Sequence, residues 1–171
     1  TVILATGDPL NYGVARKLLE FIPASEMLII PHLSAFTLAA ARMAWSLPDC
    51  DTLTLHGRDV ANLEPFIQPD ARLIVLTADG TTVRQVCDRL KARGFGRSDI
   101  TILENMGGEG ERSNSFKASA CPETAFSPLN TLTIHCIADA GAQILARIPG
   151  LPDDAFRHDG QLTKREVRAA T

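Results

Sequence analysis

The sequence lacks a long hydrophobic run and an excess of positive charge. No apolar stretch in its 171 residues approaches the ~20 residues that a membrane-spanning helix requires. The formal net charge is −3, and acidic and basic residues are interspersed. General nucleic-acid binders and proteins that bind anionic membranes normally carry a basic excess. We therefore expect neither nucleic acid nor membrane among the partners of this protein.

Paired cysteines and leader-like patterns are missing as well. None of the four cysteines lies in a C-x-x-C pair, and their spacing suggests neither a zinc site nor a disulfide framework. A basic segment followed by an apolar core, which is the pattern of a secretory signal, is not visible. These features predict a cytoplasmic protein with reduced thiols and no metal site. Cys87 and Cys136 lie in apolar patterns that are typical of buried cysteine.

Apolar patterning predicts strands that alternate with helices. The chain is 45% apolar, and its length suffices for one domain or two small lobes. Strands are predicted at residues 2–5, 27–30, 52–56, 73–76, 100–103 and 130–137, the last of them half-exposed. Helices are predicted at residues 14–22, at 35–44 behind a Ser34 cap, and at 83–90. This alternation is typical of an α/β fold with largely parallel strand pairing.

The remaining stretches have a different composition. Residues 105–128 are rich in Gly, Ser, Glu and Pro and are predicted to be mostly loop or edge structure. Residues 148–152 have the composition of a linker. Residues 153–171 are highly charged and have no apolar stripe, and a helix is predicted to start near 163–168. At the other end, Thr1 opens directly in a strand-like run. We expect the chain to be a segment of a longer polypeptide that continues into another domain.

The candidate ligand-binding residues lie in turns at the ends of the predicted strands. Gly7-Asp8-Pro9 follows the first predicted strand, where α/β sheets bind ligands. The glycine allows a close backbone approach, the proline fixes the turn, and the carboxylate accepts hydrogen bonds or opposes a cation. This combination suits a small polar cofactor with a positive centre, although the same tripeptide also serves as a simple turn. P-H-L-S-A at 31–35 is a second strand-to-helix turn, and its serine is equally suited to a plain N-cap.

The order of these turns resembles the tetrapyrrole (corrin and porphyrin) methylase family. Its members have a strand running into G-D-P and a later strand running into P-G-x-S-S; here His32 replaces the glycine and Ala35 the second serine. Similar stretches are S-A-F-T-L-A-A-A-R-M-A-W (34–45), L-H-G-R (55–58), E-N-M-G-G-E-G-E-R (104–112) and L-N-T-L-T-I (129–134). The tail, residues 150–169, resembles the opening of a second methyltransferase domain that follows the first in one kind of member.

The resemblance implies two α/β lobes, of which the N-terminal lobe is incomplete because the family's opening V-G-x-G-P loop is absent. Residues 1–47 would be the remaining part of that lobe, and residues 48–140 the C-terminal methylase lobe. Residues 141–171 would be a linker and the start of the second methyltransferase domain.

The resemblance also implies a cofactor, S-adenosyl-L-methionine, and positions that bind it. The first-lobe positions are Gly7, Asp8, Pro9, Tyr12, Ser34 and Ala35, and the second-lobe positions are His56, Gly57, Thr77, Ala78 and Asn130. Tyr12 either packs on the cofactor or fills the helix–sheet interface. The family's substrates carry many carboxylates, for which the candidate partners are His32, Arg58, Arg112 and Arg16. The alternative is a solvated surface position for each of these residues, and for Arg112 a structural pair with Glu104.

The implied activity is methylation at C5 of a precorrin in cobalamin biosynthesis, within a bifunctional, decarboxylating C5,15-methyltransferase. Methyl transfer from a sulfonium requires positioning in a dry cleft rather than a metal or a covalent nucleophile, and the sequence suggests no catalytic side chain. Family members commonly dimerise, so a homo-oligomer is expected. Two alternatives remain open: a related methylase that acts on RNA or protein, and a non-catalytic structural or assembly fragment.

Overall fold

A computed structural model of the chain describes residues 1–156 and 158–170. The α-helices are α1 (Ala15–Leu18), α2 (Ala35–Met43), α3 (Thr82–Ala92) and α4 (Arg165–Ala170). The strands are β1 (Asp51–Thr54), β2 (Arg72–Leu76), β3 (Asp99–Glu104), β4 (Arg112–Lys117) and β5 (Asn130–His135). Short 3₁₀ turns connect several of them, the longest at Val60–Phe66. Among the described helices, none is long and apolar enough to cross a membrane.

The five strands form one sheet in the order β1-β2-β5-β3-β4. β1 and β2 pair in parallel, whereas β2 with β5, β5 with β3, and β3 with β4 pair antiparallel. The α/β fold predicted from the sequence is confirmed, but the prediction of largely parallel pairing is wrong. The first three strands do run in one direction, as strand–helix–strand patterns predict. The reversed strand β5 enters between β2 and β3, so neither of them has the other as a neighbour.

Helix α3 and the sheet form the larger part of the core. The predicted stripe of Val83, Val86, Cys87 and Leu90 is fully buried. It packs against alternate residues of the sheet, which are Leu53, Leu73, Val75, Ile100, Ile102, Leu132 and Ile134. Cys87 and Cys136 are buried free thiols, as predicted, and burial raises the pKa of Cys136 to about 12.

Helix α2 covers the opposite face of the sheet. Phe36, Ala39 and Ala40 of α2 pack with Ile74 and Leu103. Ile74 lies opposite Thr133 in the register of β2 and β5, so the threonine face of β5 lies on this side too. Thr131 and Thr133 are therefore only 4% and 1% exposed. The prediction of a half-exposed strand at 130–137 is wrong because α2 packs over the threonine face. The alternation of polar and apolar residues within one strand does not show that a helix covers its polar face.

Residues 1–33 depart furthest from the predictions. Residues 2–5 and 27–30 form no strands, and within the described chain neither segment pairs with a strand. Their apolar side chains are exposed, Leu4 by 93% and Leu28 by 89%. The helix predicted at 14–22 is reduced to α1, and Phe21 is 81% exposed. A strand needs a neighbour for its amide and carbonyl groups, and the apolar pattern that predicted these strands carries no information about one.

Residues 143 and 145, which follow β5, are held by side chains from the preceding part of the chain. Arg93, 5% exposed, donates from Nε and Nη2 to the Gln143 carbonyl at 2.9 and 2.7 Å. Gln68 Nε2 donates to the Leu145 carbonyl at 2.6 Å. The helix predicted near 163–168 is confirmed as α4, and its Arg168 bonds to the Leu151 carbonyl at 2.8 Å.

Candidate functional site

A cleft of about 760 Å³ lies where the N-terminal segments meet the ends of β2, β3 and β5. This volume falls in the range of ~300–1,000 Å³ that is usual for small-molecule sites. The residues that line it are Ala5, Thr6, Gly7, Asp8, Asn11, Tyr12, Gly13, His32, Leu33, Ser34, Ala35, Phe36, Leu38, Leu76, Leu103, Asn105, Met106, Gly107, Leu129, Asn130 and Thr131. The walls are thus largely apolar, with a few polar groups at the turns.

The Gly7-Asp8-Pro9 turn forms one wall. Gly7 has a φ of +70°, a conformation that glycine adopts without strain. Asp8 Oδ1 accepts hydrogen bonds from the amides of Leu10 and Asn11 at 2.8 and 3.0 Å. The carboxylate therefore closes the turn. Asp8 is also one of the residues that line the cleft.

Gly13 is a site residue that the sequence analysis missed. A Cβ built on Gly13 would lie 2.3 Å from the Asp8 carbonyl oxygen and 2.5 Å from that of Pro9, so only glycine fits. The Ala15 amide then donates to the Pro9 carbonyl at 3.0 Å. The available signal was a second glycine shortly after the G-D-P turn and directly before a helix.

Tyr12 stands at the mouth of the cleft. Its φ is +59°, and its side chain is 48% exposed. The ring centroid lies 5.8 Å from that of the buried Phe36, and the Arg58 guanidinium lies 5.8 Å above the tyrosine ring. Arg58 itself does not line the cleft but reaches its rim through Tyr12.

The start of α2 forms a second wall. Ser34 caps the helix as predicted, since its Oγ accepts a hydrogen bond from the Thr37 amide at 3.2 Å. Ser34, Ala35 and Phe36 all line the cleft, and so does His32. The first amide groups of a helix lack partners within it, so this wall offers donors to a ligand.

Asn130 closes the far side at the start of β5. Its Oδ1 accepts from Thr77 Oγ1 at 2.9 Å, and its Nδ2 donates to the Ser127 carbonyl at 2.7 Å. Asn130 and Thr77 are 7% exposed each. Thr77 does not line the cleft itself but fixes the asparagine that does.

Glu104 and Arg112 form a structural pair behind the cleft. Arg112 Nε and Nη2 donate to the Glu104 carboxylate at 2.6 and 3.2 Å, and the Ser127 amide donates to it as well. The Arg112 guanidinium and the Ser127 amide hold the pKa of Glu104, which is only 4% exposed, below its usual range. Of the two interpretations that the sequence left for Arg112, this geometry favours the structural one, because Arg112 does not line the cleft.

The structure thus brings together seven predicted residues: Gly7, Asp8, Tyr12, His32, Ser34, Ala35 and Asn130. Eight others do not line the cleft: Pro9, Arg16, His56, Gly57, Arg58, Thr77, Ala78 and Arg112. Asn105, Met106 and Gly107 also wall the cleft. They belong to the E-N-M-G-G-E-G-E-R stretch that the sequence singled out, although none of the three was predicted individually as a site residue. Among the described residues, no group of three or more His, Cys, Asp or Glu side chains could hold a metal ion.

Known proteins match both the sequence and the fold. The family model for Tetrapyrrole (Corrin/Porphyrin) Methylases matches residues 1–120. A precorrin-6Y C(5,15)-methyltransferase (decarboxylating) from Sinorhizobium sp is 42% identical over 170 residues, which are 99% of this chain and 41% of the relative. A cobalt-precorrin-7 C(5)-methyltransferase from Salmonella typhimurium is 32% identical over 121 residues, 70% of this chain and 58% of the relative. The chain therefore spans about two fifths of the length of the relative that matches it almost throughout.

A solved structure supports the fold assignment. A uroporphyrin-III C-methyl transferase from Thermus thermophilus, complexed with S-adenyl homocysteine, superposes with a TM-score of 0.59 at 16% identity. The superposition covers 75% of this chain and 62% of that protein. Together with the family match over residues 1–120, it follows that this chain belongs to the tetrapyrrole (corrin/porphyrin) methylase family.

Proposed function

We propose that this chain forms the cofactor-binding part of an S-adenosylmethionine-dependent methyltransferase that methylates C5 of a precorrin in cobalamin biosynthesis. The observation that carries the proposal is the 42% identity to the Sinorhizobium C(5,15)-methyltransferase over 170 residues. The Salmonella relative, whose name also specifies C(5), supports the same position of methylation.

The cleft fits the cofactor in size and chemistry. Its volume of about 760 Å³ accommodates a molecule the size of S-adenosylmethionine. Asp8 offers a carboxylate to the ammonium group of the cofactor, which S-adenosylhomocysteine also carries, and the first turn of α2 offers amide groups to the cofactor's carboxylate. The apolar walls at Phe36, Leu103 and Met106 suit the adenosine and the carbon chain. The Thermus neighbour holds the demethylated cofactor in the same fold.

We assign cofactor binding to Gly7, Asp8, Pro9, Tyr12, Ser34, Ala35 and Asn130, with support from His56, Gly57, Thr77 and Ala78. When bound, S-adenosylmethionine supplies a methyl group on a positively charged sulfur that leaves as a neutral thioether. The chain's own residues have to hold the two reactants in line and exclude water. The turn at Gly7 to Gly13, which is closed too tightly to admit a Cβ at Gly13, and the buried Thr77–Asn130 bond serve the first task, and the apolar walls serve the second.

The substrate surface is proposed to lie at the rim of the cleft. His32 lines the cleft, and Arg58 stands above Tyr12 at its mouth. A guanidinium at this rim suits a substrate that carries carboxylates. Arg112 is a weaker candidate because it is already bonded to Glu104.

We further propose that residues 1–47 belong to the N-terminal methylase lobe and residues 48–140 to the C-terminal lobe. The family model ends at residue 120, whereas the similarity to the Sinorhizobium relative covers 99% of the chain. This difference supports the interpretation of residues 141–171 as a linker into a second methyltransferase domain, to which methylation at C15 and decarboxylation would belong. A homo-oligomer in the cytoplasm completes the proposal.

One observation favours a second candidate, a structural or assembly fragment. Val2, Leu4, Leu28 and Ile30 are between 73% and 93% exposed, so apolar surface is open to another polypeptide. Binding of the demethylated cofactor separates the candidates, because an assembly fragment has no need of it.

The test is calorimetric titration of S-adenosylhomocysteine into the chain, followed by an assay of labelled methyl transfer from S-adenosylmethionine to a precorrin. We expect saturable one-to-one binding and a product that is heavier by one methyl group. A folded sample that binds no S-adenosylhomocysteine would overturn the proposal and favour the assembly fragment. Binding without transfer to a precorrin, but with transfer to RNA or protein, would refute the substrate class alone.

A further inference from the structure

The loop between β3 and β4, residues 105–111, forms the wall of the cleft that faces the start of α2. Asn105, Met106 and Gly107 line the cleft, and Met106 also packs on the core cluster of Phe36, Ala39 and Leu103. Asn105 and Gly107 have φ values of 52° and 77°, so the loop leaves β3 through two left-handed residues. Residues 107–111 are exposed and lie outside the sheet. The backbone bonds within the loop, from the Gly108 amide to the Asn105 carbonyl at 3.0 Å and from the Glu111 amide to the Gly108 carbonyl at 3.3 Å, shape the loop but do not join it to α2.

A single carboxylate joins this loop to the helix on the other side of the cleft. Arg42, in the last turn of α2, donates from Nε and Nη2 to Glu111 Oε1 and Oε2 at 2.5 and 3.0 Å. Glu111 Oε2 also accepts the Gly107 amide at 2.7 Å. Glu111 therefore bonds both to α2, whose first turn lines the cleft, and to the loop residue that walls it.

We propose that Arg42 and Glu111 are positioning residues for the methyl-transfer site: their ion pair clamps the 105–111 loop onto α2 and fixes Met106 and Gly107 at the cofactor. This inference rests on the proposed function. Neither residue lines the cleft, so both act through the loop. Small displacements matter in such a site, because a misplacement of about 1 Å can cost ~10²-fold in rate.

The clamp differs from an ordinary surface ion pair in what it controls. The side chains of Arg42 and Glu111 are 41% and 30% exposed, and pairs at such exposure add little to global stability. The base of the loop is held separately by Glu104, Arg112 and Ser127. Loss of the clamp should therefore loosen residues 105–111 while the sheet and its melting temperature stay nearly unchanged.

The test compares Arg42→Gln and Glu111→Gln with Arg42→Lys, which keeps the charge but loses the two-pronged geometry. Lys117→Gln is the matched control, since it removes an exposed ion pair with Asp99, 2.6 Å long, at the other end of β3 and β4. Amide hydrogen exchange of residues 105–111 is measured without ligand, and the Kd of S-adenosylhomocysteine and the kcat and KM of methyl transfer are measured beside it.

We expect faster exchange at Gly107 and a Kd that is weaker by about fivefold in both Gln variants, with Arg42→Lys between them and the wild type. The control should match the wild type in every readout. Unchanged exchange in Arg42→Gln would overturn the proposal, and so would faster exchange with an unchanged Kd. A wild-type chain that binds no S-adenosylhomocysteine refutes the proposed function itself, and with it this inference; the wild-type titration alone distinguishes the two failures.

Discussion

Substitution of Asp8 separates the two tasks that its carboxylate performs. Asp8→Asn keeps an oxygen that can accept from the Leu10 and Asn11 amides at 2.8 and 3.0 Å, but it removes the negative charge. Asp8→Ala removes both the oxygen and the charge. If the carboxylate only closes the turn, the asparagine variant should behave as the wild type does.

The magnitudes differ enough to be resolved. A typical hydrogen bond is worth about 0.5–1.5 kcal/mol net, and the exposed Leu10 and Asn11 amides regain water when the Asp8 carboxylate is lost, so Asp8→Ala should lose about 1 kcal/mol of unfolding free energy. Asp8→Asn should lose less than about 0.5 kcal/mol. A hydrogen bond to a charged group is worth about 1.5–3 kcal/mol, so both variants should weaken S-adenosylhomocysteine binding by about 10- to 150-fold.

The assay pairs urea denaturation with calorimetric titration of S-adenosylhomocysteine for the wild type and both variants. A stable Asp8→Asn chain with strongly weakened binding is the expected result. Unaltered affinity of Asp8→Asn would refute the reasoning, since the carboxylate would then serve the turn alone.

Three further predictions concern the walls of the cleft. Gly13→Ala should lose about 1–3 kcal/mol of unfolding free energy, because its Cβ would lie 2.3 Å from the Asp8 carbonyl oxygen. Gly108→Ala is the control and should not lose stability, because the nearest atom to its Cβ would be 3.5 Å away. Equal urea midpoints of the two variants would contradict this prediction. Asn130→Asp should lose about 2–3 kcal/mol of unfolding free energy at pH 7, because a carboxylate would face the Ser127 carbonyl. The loss should be smaller at acid pH, where the protonated acid can donate a hydrogen bond. Urea denaturation at two pH values checks the direction of this change. Arg42 and the Gly107 amide lower the pKa of Glu111 from its ordinary 4.5 to about 2, so this pair contributes fully above about pH 4.5 and is lost as the pH falls through about 2. An NMR titration of the Glu111 carboxyl should show this low pKa and its rise in Arg42→Gln; an ordinary pKa in the wild type would contradict the ion pair.

Local sequence patterns correctly predicted the elements that are defined by residues close together in the chain. The α3 stripe and the Ser34 cap are visible in a few neighbouring residues, and the structure confirms both. The strands predicted at 2–5 and 27–30 had apolar patterns of equal quality and were wrong. In the part of the chain that the structure describes, these two segments have no strand beside them to pair with. Whether such a neighbour exists depends on the arrangement of the whole sheet and not on the segment itself.

In the candidate site, too, local motifs were predicted, whereas contacts between distant parts of the chain were not. The G-D-P turn and Ser34 were predicted from short motifs, and the structure brings Gly7, Asp8 and Ser34 to one cleft. Asn105, Met106 and Gly107 were not predicted individually, because the position of this loop depends on packing against α2, which lies far away in the sequence. The partner of Glu111 likewise stands 69 residues away, beyond the reach of any local pattern.

The most direct test of the account is an NMR titration of the isotope-labelled chain with S-adenosylhomocysteine. Binding in the cleft predicts saturable shifts of the amides of Gly7, Gly13, Ala35, Gly107 and Asn130, while the amide of Gln143, which does not line the cleft, stays unaffected. The absence of saturable shifts at these amides, or shifts centred on Gln143 instead, would contradict the assignment of the cleft as the cofactor site.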